Sequence, residues 1–584
     1  MSNWLGELRR RNVHRVLVAY GAAAWLMAQV AGLLAEAYGW PTWVLRALVT
    51  LLLLGIPVAA LLAWFFELTP AGLVREQESP ATGASLRVRP HRGLDVAIVA
   101  LIALAIGYFA LTHDWRGSDS GRTSASRATL AVLPFKPIVL SSSDQALEFG
   151  MTDTLITRLS GIADVVVRPL SSVRRYSALE QDPIAAGREL DVGSVLDGTV
   201  QKSGERLRVT ARLLSVADGR QLWSEQFDEN YTDIFAVQDS IANRVTRALS
   251  LRLSEEEEKR FGRHATDDAV AYDLYLNGRY YWNRRASPDD LRRAIEFYSR
   301  AVERDPRFAL AYSGLADALA VLGIFGVRAP QDVYPKALAA SERALELDPE
   351  LAEAHATRGH IRLSFRHDWQ GALEDYDEAL RHDPRYSTAH MWRGFWFLFV
   401  GRNDVGLEEL AAARDLEPDQ LILAINYARG LYWSGRHDDA QGQLARVLEI
   451  APENGTARAL LVGVLTQRGR FEEALELLGN GIQSAPGSRS LKGIALAQSG
   501  RTEEARAELR RLTELARSEY VSAYQIASVC AALGDIDGAF TWLDRAIVDR
   551  DSLLPTLRAD PVMNPLRSDP RYVDIENKIG LPPR

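Results

Sequence analysis

Residues 387–418, STAHMWRGFWFLFVGRNDVGLEELAAARDLEP, align without gaps with 421–452, LILAINYARGLYWSGRHDDAQGQLARVLEIAP, and with 455–486, GTARALLVGVLTQRGRFEEALELLGNGIQSAP. Gly401, Gly435 and Gly469 are 34 residues apart, as are Gly500 and Gly534. Five residues after each glycine stands a small residue: Gly406, Ala440, Ala474, Ala505 and Ala539. Pro384, Pro418, Pro452 and Pro486 keep the same period. Small residues where two helices touch, glycine at the turn and proline at the end of the second helix predict a solenoid of helical hairpins.

Earlier units end at Pro306, Pro349 and Pro384, which extends the array over 268–550 with about eight repeats. The step from Pro306 to Pro349 is 43 residues, and the excess, Gly326 to Lys336, is expected to form a longer loop. Ala294, Ala372, Ala440, Ala474, Ala505 and Ala539 let helices approach. Tyr298, Tyr376, Leu410, Leu444 and Leu478, four residues beyond the small positions, read as core. Residues 551–584 are expected to cap the last repeat, whose apolar face would otherwise be bare.

The N-terminal part reads differently. Residues 16–35, 44–66 and 94–112 are apolar runs long enough to cross a bilayer, and three transmembrane helices are expected there. Ala35-Glu36-Ala37 offers a competing reading as a signal-peptide cleavage site, disfavoured by two further spans. Arg9, Arg10, Arg11 and Arg15 precede the first run, and Arg75, Arg87, Arg89 and Arg92 fill the second loop. Positive-inside counting puts residues 1–15 and that loop in the cytoplasm. Everything after the third run is then expected in the periplasm of a bacterium, anchored in the inner membrane. Residues 113–127, rich in Gly and Ser, read as a tether.

Between tether and array, 128–254 reads as a small α/β domain. TLAVLPF at 129–135 and DVVVR at 164–168 form strands around an amphipathic helix, 144–160. A short helix at 182–190 leads to strands 193–202, 205–216 and 220–229, with turns at Ser203-Gly204 and Asp218-Gly219. Leu207, Val209, Ala211 and Leu213 alternate with polar residues, as in a half-buried strand. Residues 232–253 close the domain as a helix.

TLAVLPF, EFGMTDTLITRLS and GSVLDGTVQKSGERLRVTARLLSVADGRQLWSEQFDENYTDIFAVQDSIA resemble the TolB amino-terminal-like domain, which in many bacterial proteins precedes tetratricopeptide repeats. ELRRRNVHRVLVAYGAAAWLMAQV with WFFELTPAGL resembles the membrane anchor of that group. The resemblance implies a membrane-anchored, partner-binding protein with three transmembrane helices, a small α/β domain and an all-α tetratricopeptide-repeat solenoid. Some members of the group carry a nucleotide-cyclase or winged-helix domain on the cytoplasmic side. The expected cytoplasmic stretches here, about 15 and about 27 residues, are too short for either.

In this family the first helix of each pair lines the concave groove. Counting from the periodic glycines places Phe395, Leu398, Phe399, Arg429, Tyr432, Trp433, Thr466 and Gln467 there. Phe395, Phe399, Arg429, Tyr432 and Trp433 are the candidate protein-binding residues, because aromatic side chains with arginine make binding hot spots. The competing role for these aromatics is packing between repeats.

Composition excludes several classes. The net charge of −8 is spread along the chain and gives no nucleic-acid surface. The lone Cys530 excludes an intrachain disulfide and a cysteine zinc site. Gly-Lys, His-Glu and Gly-x-Ser-x-Gly motifs are missing, so no phosphate loop, zincin helix or nucleophile elbow is present. No catalytic residue, metal ligand or cofactor site is assigned. The expected function is a non-enzymatic scaffold binding envelope proteins, held in the lipid bilayer. The alternative is a periplasmic small-molecule sensor or carrier, its ligand held between sheet and helix of the α/β domain.

Overall fold

The computed structural model describes residues 20, 23, 24, 27, 29, 31, 52, 66–69, 72–75, 128–137, 144–162, 164–177, 181–251, 253, 265–284, 288–326, 328–478 and 488–583. The chain divides into two compact units, Met1–Ser120 and Gly121–Arg584.

In the first unit, Phe66–Thr69 pairs antiparallel with Gly72–Arg75. This corrects the expected membrane anchor and, with it, the multi-pass inner-membrane location and periplasmic C-terminal part. Among the described residues no helix is long and apolar enough to cross a membrane. Phe66, the last residue of the expected second span, starts a strand whose register partner is Arg75. The most apolar described helices are short: Ala309–Ile324 has 16 residues, about 24 Å at 1.5 Å per residue against a hydrocarbon layer of about 30 Å. The longest described helix, Pro330–Leu347 with 18 residues, carries Asp332, Lys336, Glu342, Arg343 and Glu346. The rest of 16–35, 44–66 and 94–112, and the tether 113–127, lie outside the described residues apart from isolated positions.

The second unit begins with a mixed sheet. Strands β1 (Ala128–Val132), β2 (Val165–Val167), β3 (Ser194–Ser203), β4 (Arg206–Ser215) and β5 (Gln221–Asn230) lie in the order β2-β1-β3-β4-β5. β1 is parallel to β2 and β3, the short strand Lys136–Pro137 is also parallel to β3, and the β3–β4 and β4–β5 pairs are antiparallel. The turns fall at Gly204 and Gly219, whose φ of +60° and +70° are the left-handed values expected of such hairpins. Leu207, Val209, Ala211 and Leu213 are fully buried. Helices α1 (Asp144–Ser160) and α2 (Ile234–Ala248) pack Met151, Leu155, Leu159, Val237, Ile241 and Val245 into the same core. A short helix, Leu170–Val173, was not foreseen.

Eight helical hairpins follow among the described residues. Their first helices are Ala269–Arg284, Ala309–Ile324, Ala352–Ile361, Ser387–Phe399, Leu421–Trp433, Gly455–Gln467, Leu491–Gln498 and Ala523–Ala532. Their second helices are Pro288–Arg304, Pro330–Leu347, Trp369–His382, Asn403–Leu416, His437–Ile450, Phe471–Leu478, Thr502–Leu515 and Ile536–Val548. The periodic glycines hold φ between +74° and +90° at the turn inside each hairpin from the fourth repeat on. The third repeat has His367 at this place, with φ +56°, reached through a π-helical turn over Arg362–Arg366. The Gly326–Lys336 insertion is partly helix rather than all loop, because Pro330 stands at the first turn of Pro330–Leu347, where its missing N–H costs nothing.

Residues 554–578 form two 3-10 turns and the helix Pro570–Lys578. Tyr572, Ile575 and Ile579 join a buried cluster with Phe540 and Leu543 of the eighth repeat, and with Trp369, Phe395 and Phe399 of the third and fourth. The end of the array therefore packs on its middle as well as on its last repeat.

A candidate protein-binding surface on the repeat array

The fourth repeat sets the wall of the candidate site. Its two helices cross at glycines: a Cβ on Gly406 would lie 2.8 Å from the Gly394 carbonyl, and one on Gly394 would lie 3.0 Å from the Gly406 carbonyl. Glycine here, where other repeats have alanine, lets the backbones nearly touch. The aromatic side chains of 387–399 are then left to face the neighbouring repeats.

Those aromatics form a continuous chain of rings over three repeats. His360 stacks on Trp392 at 4.1 Å, and Trp392 meets Phe395 edge-on at 5.9 Å. Phe395 stacks on Phe399 at 6.1 Å. Trp433 stands edge-on to Phe395 at 5.5 Å and to Phe399 at 5.3 Å. Edge-to-face and offset contacts at these spacings add stability beyond area burial. Phe395 and Phe399 are buried, whereas Trp433 is half-buried.

Arg429 sits one turn before Trp433, its guanidinium carbon 5.9 Å from the Trp433 ring centroid. It is half-buried, and desolvation lowers its pKa from the ordinary arginine value. Tyr432 turns elsewhere. It is buried, 5.7 Å from His437, and would meet a Cβ on Gly463 at 3.7 Å, so it fills the seam with the sixth repeat. Leu398 is core, and Thr466 is buried with its hydroxyl on the Val462 carbonyl. Of the five candidate residues, the structure thus gathers Phe395, Phe399, Trp433 and Arg429 and sets Tyr432 apart.

Sequence counting missed Trp392 and His360. The signal was there: 392, 395 and 399 follow helical spacing along one face. His360 lies 35 residues before Phe395. Burial pushes the His360 pKa down to about 3, which keeps the ring neutral and suits it to a stack. His355 is held separately, with Nε2 on the Pro349 carbonyl at 2.9 Å and Nδ1 3.7 Å from Asp375. Among the described residues no cluster of metal-ligating side chains forms.

The α/β domain is bonded to the array. Arg279 of the first repeat pairs with Asp153 of α1 at 2.6 Å. The Tyr272 hydroxyl lies 2.5 Å from Thr154 and accepts from Gln238 at 2.8 Å. Ser171 donates to Glu417 at 2.9 Å, beside a polar crevice of about 310 Å³ lined by Arg168, Ser172, Arg175, Glu189 and Asp419. Asp153 is buried at this joint.

Known proteins resemble separate parts of the chain. Residues 434–495 and 491–555 match models of the tetratricopeptide repeat. Residues 126–244 match the model of the HilA/YgeH-like transcriptional regulator, second domain, where the sequence had suggested a TolB-like domain. "Putative adenylate cyclase 3" of Rhizobium meliloti (strain 1021) is 29% identical over 259 residues, 44% of this chain and 42% of that protein. Hsp70-Hsp90 organizing protein 3 of Arabidopsis thaliana is 28% identical over 155 residues, 26% of this chain and 24% of that protein. The chain spans less than half the length of these curated relatives. Among solved structures, yeast Tom70 is 19% identical, covering 52% of this chain and 66% of that one, with a TM-score of 0.33. A thermophilic tetratricopeptide-repeat protein of Thermus thermophilus is 21% identical over 33% of this chain and 98% of that one, with a TM-score of 0.29.

Proposed function

We propose that this chain, whose residues 434–555 match tetratricopeptide-repeat models, is a non-enzymatic scaffold that holds segments of other proteins against the first helices of its fourth and fifth repeats. The observation that carries this reading is the half-buried Trp433 beside Arg429, backed by the rigid Phe395–Phe399 wall. A large ring held in place by its neighbours offers contact area at small entropic cost. Proteins rather than nucleic acids are the partners, in keeping with the net charge of −8.

The α/β domain adds a second surface. β5 is an edge strand paired on one side only, with most of its residues exposed or half-buried. Such an edge can accept an added strand. The small-molecule alternative has no specific support. The space between sheet and helices is filled by Leu130, Val132, Met151, Leu155 and Ile241, all fully buried.

A photo-crosslinking residue placed at 433, in cells of the source organism, tests the proposal. The same residue at 446, an exposed position on the second helix of the same repeat, is the control. Defined protein adducts from 433 and not from 446 are expected. Equal labelling from both positions, or none from 433, would remove the groove from consideration.

A further inference from the structure

The α/β domain meets the array at two places of unequal strength. The first is the joint with the first repeat. A Cβ on Gly278 would lie 2.6 Å from the Tyr298 ring, as one on Gly394 would lie 2.9 Å from the Leu410 side chain, so the two glycines hold equivalent places where paired helices cross. Arg279, next to Gly278, therefore stands where Phe395 stands, on the groove side. Its partner there is Asp153 of α1 at 2.6 Å, with the two side chains 28% and 12% exposed. Leu276 of the same helix fills the notch at Gly150 of α1, where a Cβ would lie 2.5 Å from it. α1 thus lies in the groove of the first repeat. Its reach extends further. Desolvation raises the pKa of Glu353, on the first helix of the third repeat, and the charges of Arg279 and Asp153 act on it as well.

The second place is the end of the fourth repeat. Arg174 donates to the Asn283 carbonyl of the first repeat at 3.0 Å, and its neighbour Arg175 comes within 3.9 Å of Asp419, just past the fourth repeat. Ser171 donates to Glu417 at 2.9 Å. Two consecutive residues thus bridge the first repeat and the end of the fourth. This second contact is weak. Arg175 and Asp419 are 53% and 36% exposed, and pairs so open to water contribute little. The walls do not pack together, for the crevice of about 310 Å³ lies between them. Asp415 and Asp419 line it from the array, and Arg168 and Arg175, with Glu189 and Asp191 beside them, line it from the domain. Solenoids bend through small rotations between neighbouring repeats. An arc of four repeats closed by one firm and one weak contact parts at the weak one.

We propose that the α/β domain is a clasp over the groove of the first three repeats, hinged at its joint with the first repeat and latched to the end of the fourth through Ser171–Glu417 and Arg175–Asp419. With the latch shut, a partner reaches only the stretch at the fourth and fifth repeats. With it open, the groove runs on to the second and third.

The test is tagging of a single introduced cysteine by a bulky maleimide in the full-length chain, whose own Cys530 is buried. E353C reports on the covered stretch. E408C, at an exposed place on the second helix of the fourth repeat, is the control. At low salt E353C should react slowly. Adding S171A and D419N should speed it about 10-fold or more, the span of one charge-assisted hydrogen bond, and leave E408C unchanged. Glu417 keeps Ser387 and Gln420 as donors in that variant, so the array itself loses no bond. Salt at about 1 M, where the screening length is about 3 Å, should speed E353C with the latch residues intact. Three results would overturn the clasp: E353C reacting as fast in the folded chain as in urea, E353C unmoved by both the latch variant and salt, or E408C rising in step with it. The readout needs no partner, so a groove that captures nothing at 433 leaves the clasp standing, and a clasp that fails leaves the groove to its own test.

Discussion

Trp369 donates its indole Nε1–H to the carbonyl oxygen of Ile579 at 2.8 Å, across 210 residues of chain. Gly580 has φ +61°, and a Cβ added there would lie 3.8 Å from the same indole and 3.7 Å from the His367 carbonyl. Nearby, Arg558 bonds the Val400 carbonyl at 3.3 Å, the Pro582 carbonyl at 3.0 Å and the Glu576 carboxylate at 2.9 Å. These contacts turn a linear stack of hairpins into an array whose end is tied to its third and fourth repeats.

Arg558→Ala should therefore be among the most damaging single changes. The side chain is 7% exposed and Glu576 is 12% exposed. Removing the cation leaves a carboxylate with little access to water, at a cost of about 3–5 kcal/mol. Trp369→Phe, which loses one hydrogen bond and the buried five-membered part of the indole, should cost less, about 2 kcal/mol. Urea midpoints at constant slope measure both, and equal losses would contradict the burial argument.

The joint between the α/β domain and the first repeat should make the second unit melt as one. Asp153→Ala strands the Arg279 guanidinium, whose pKa the Asp153 charge helps to hold well above the ordinary value. We expect one calorimetric transition in a fragment of residues 121–584 and two in the variant. Two transitions in the unmutated fragment would show that the joint does not couple the parts.

Stability should fall in mild acid. Burial depresses His360 to about 3 and His367 to about 4, from 6.5. Below pH 6.5 the unfolded chain takes up protons that the folded chain refuses. Stability is thus fully present above pH 6.5 and lost as pH falls toward 4, by up to about 1.4 kcal/mol per pH unit for each histidine. His360→Phe, keeping a ring against Trp392, should flatten part of this slope. An unchanged pH profile of the urea midpoint would exclude His360 as a source.

Gly198→Ala should unfold the sheet locally. A Cβ there would lie 2.1 Å from the Thr210 carbonyl and 2.7 Å from the Phe135 ring. The backbone carbonyl cannot rotate aside without breaking the β3–β4 ladder, so a loss of several kcal/mol is expected, at the upper end of overpacking costs of about 1–3 kcal/mol. A circular-dichroism melt decides it, and a midpoint like that of the wild type would mean that the ladder yields.

In the groove, Tyr432 and Trp433 should separate. Tyr432→Ala opens a cavity in the seam with the sixth repeat and should cost about 3 kcal/mol or more, by analogy with other buried aromatics. Trp433→Ala removes a half-buried ring and should cost less while weakening partner capture more. A double change of the two would mix these effects, so the single variants carry the test.

The repeats were legible because their physics is local. Glycine at the left-handed turn and a small residue five positions on leave a mark every 34 residues. The third repeat broke the pattern, because His367 adopts the left-handed turn without being glycine. The hairpins of the sheet were legible from Gly204, Gly219 and strict alternation along β4. The candidate site was half legible. Ring-bearing positions could be counted, but that Tyr432 faces away, that Trp392 and His360 extend the stack, and that Arg429 has no acid beside it are properties of neighbours in space. The tie between Trp369 and Ile579 left no local mark at all. The apolar runs near the N-terminus predicted spans from length and hydropathy alone, whereas among the described residues no helix is long and apolar enough to cross a membrane and Phe66 pairs as a strand.

Solenoids ordinarily change length freely, since an added hairpin meets only its two neighbours. A chain whose Ile579 must reach Trp369 has lost that freedom. One hairpin inserted or deleted between them would carry the C-terminal helix past its seat by a whole repeat. The number of hairpins is thus gauged by the closure, and duplication, the usual route by which such arrays diversify, is barred to this segment unless both ends of the tie are rebuilt together.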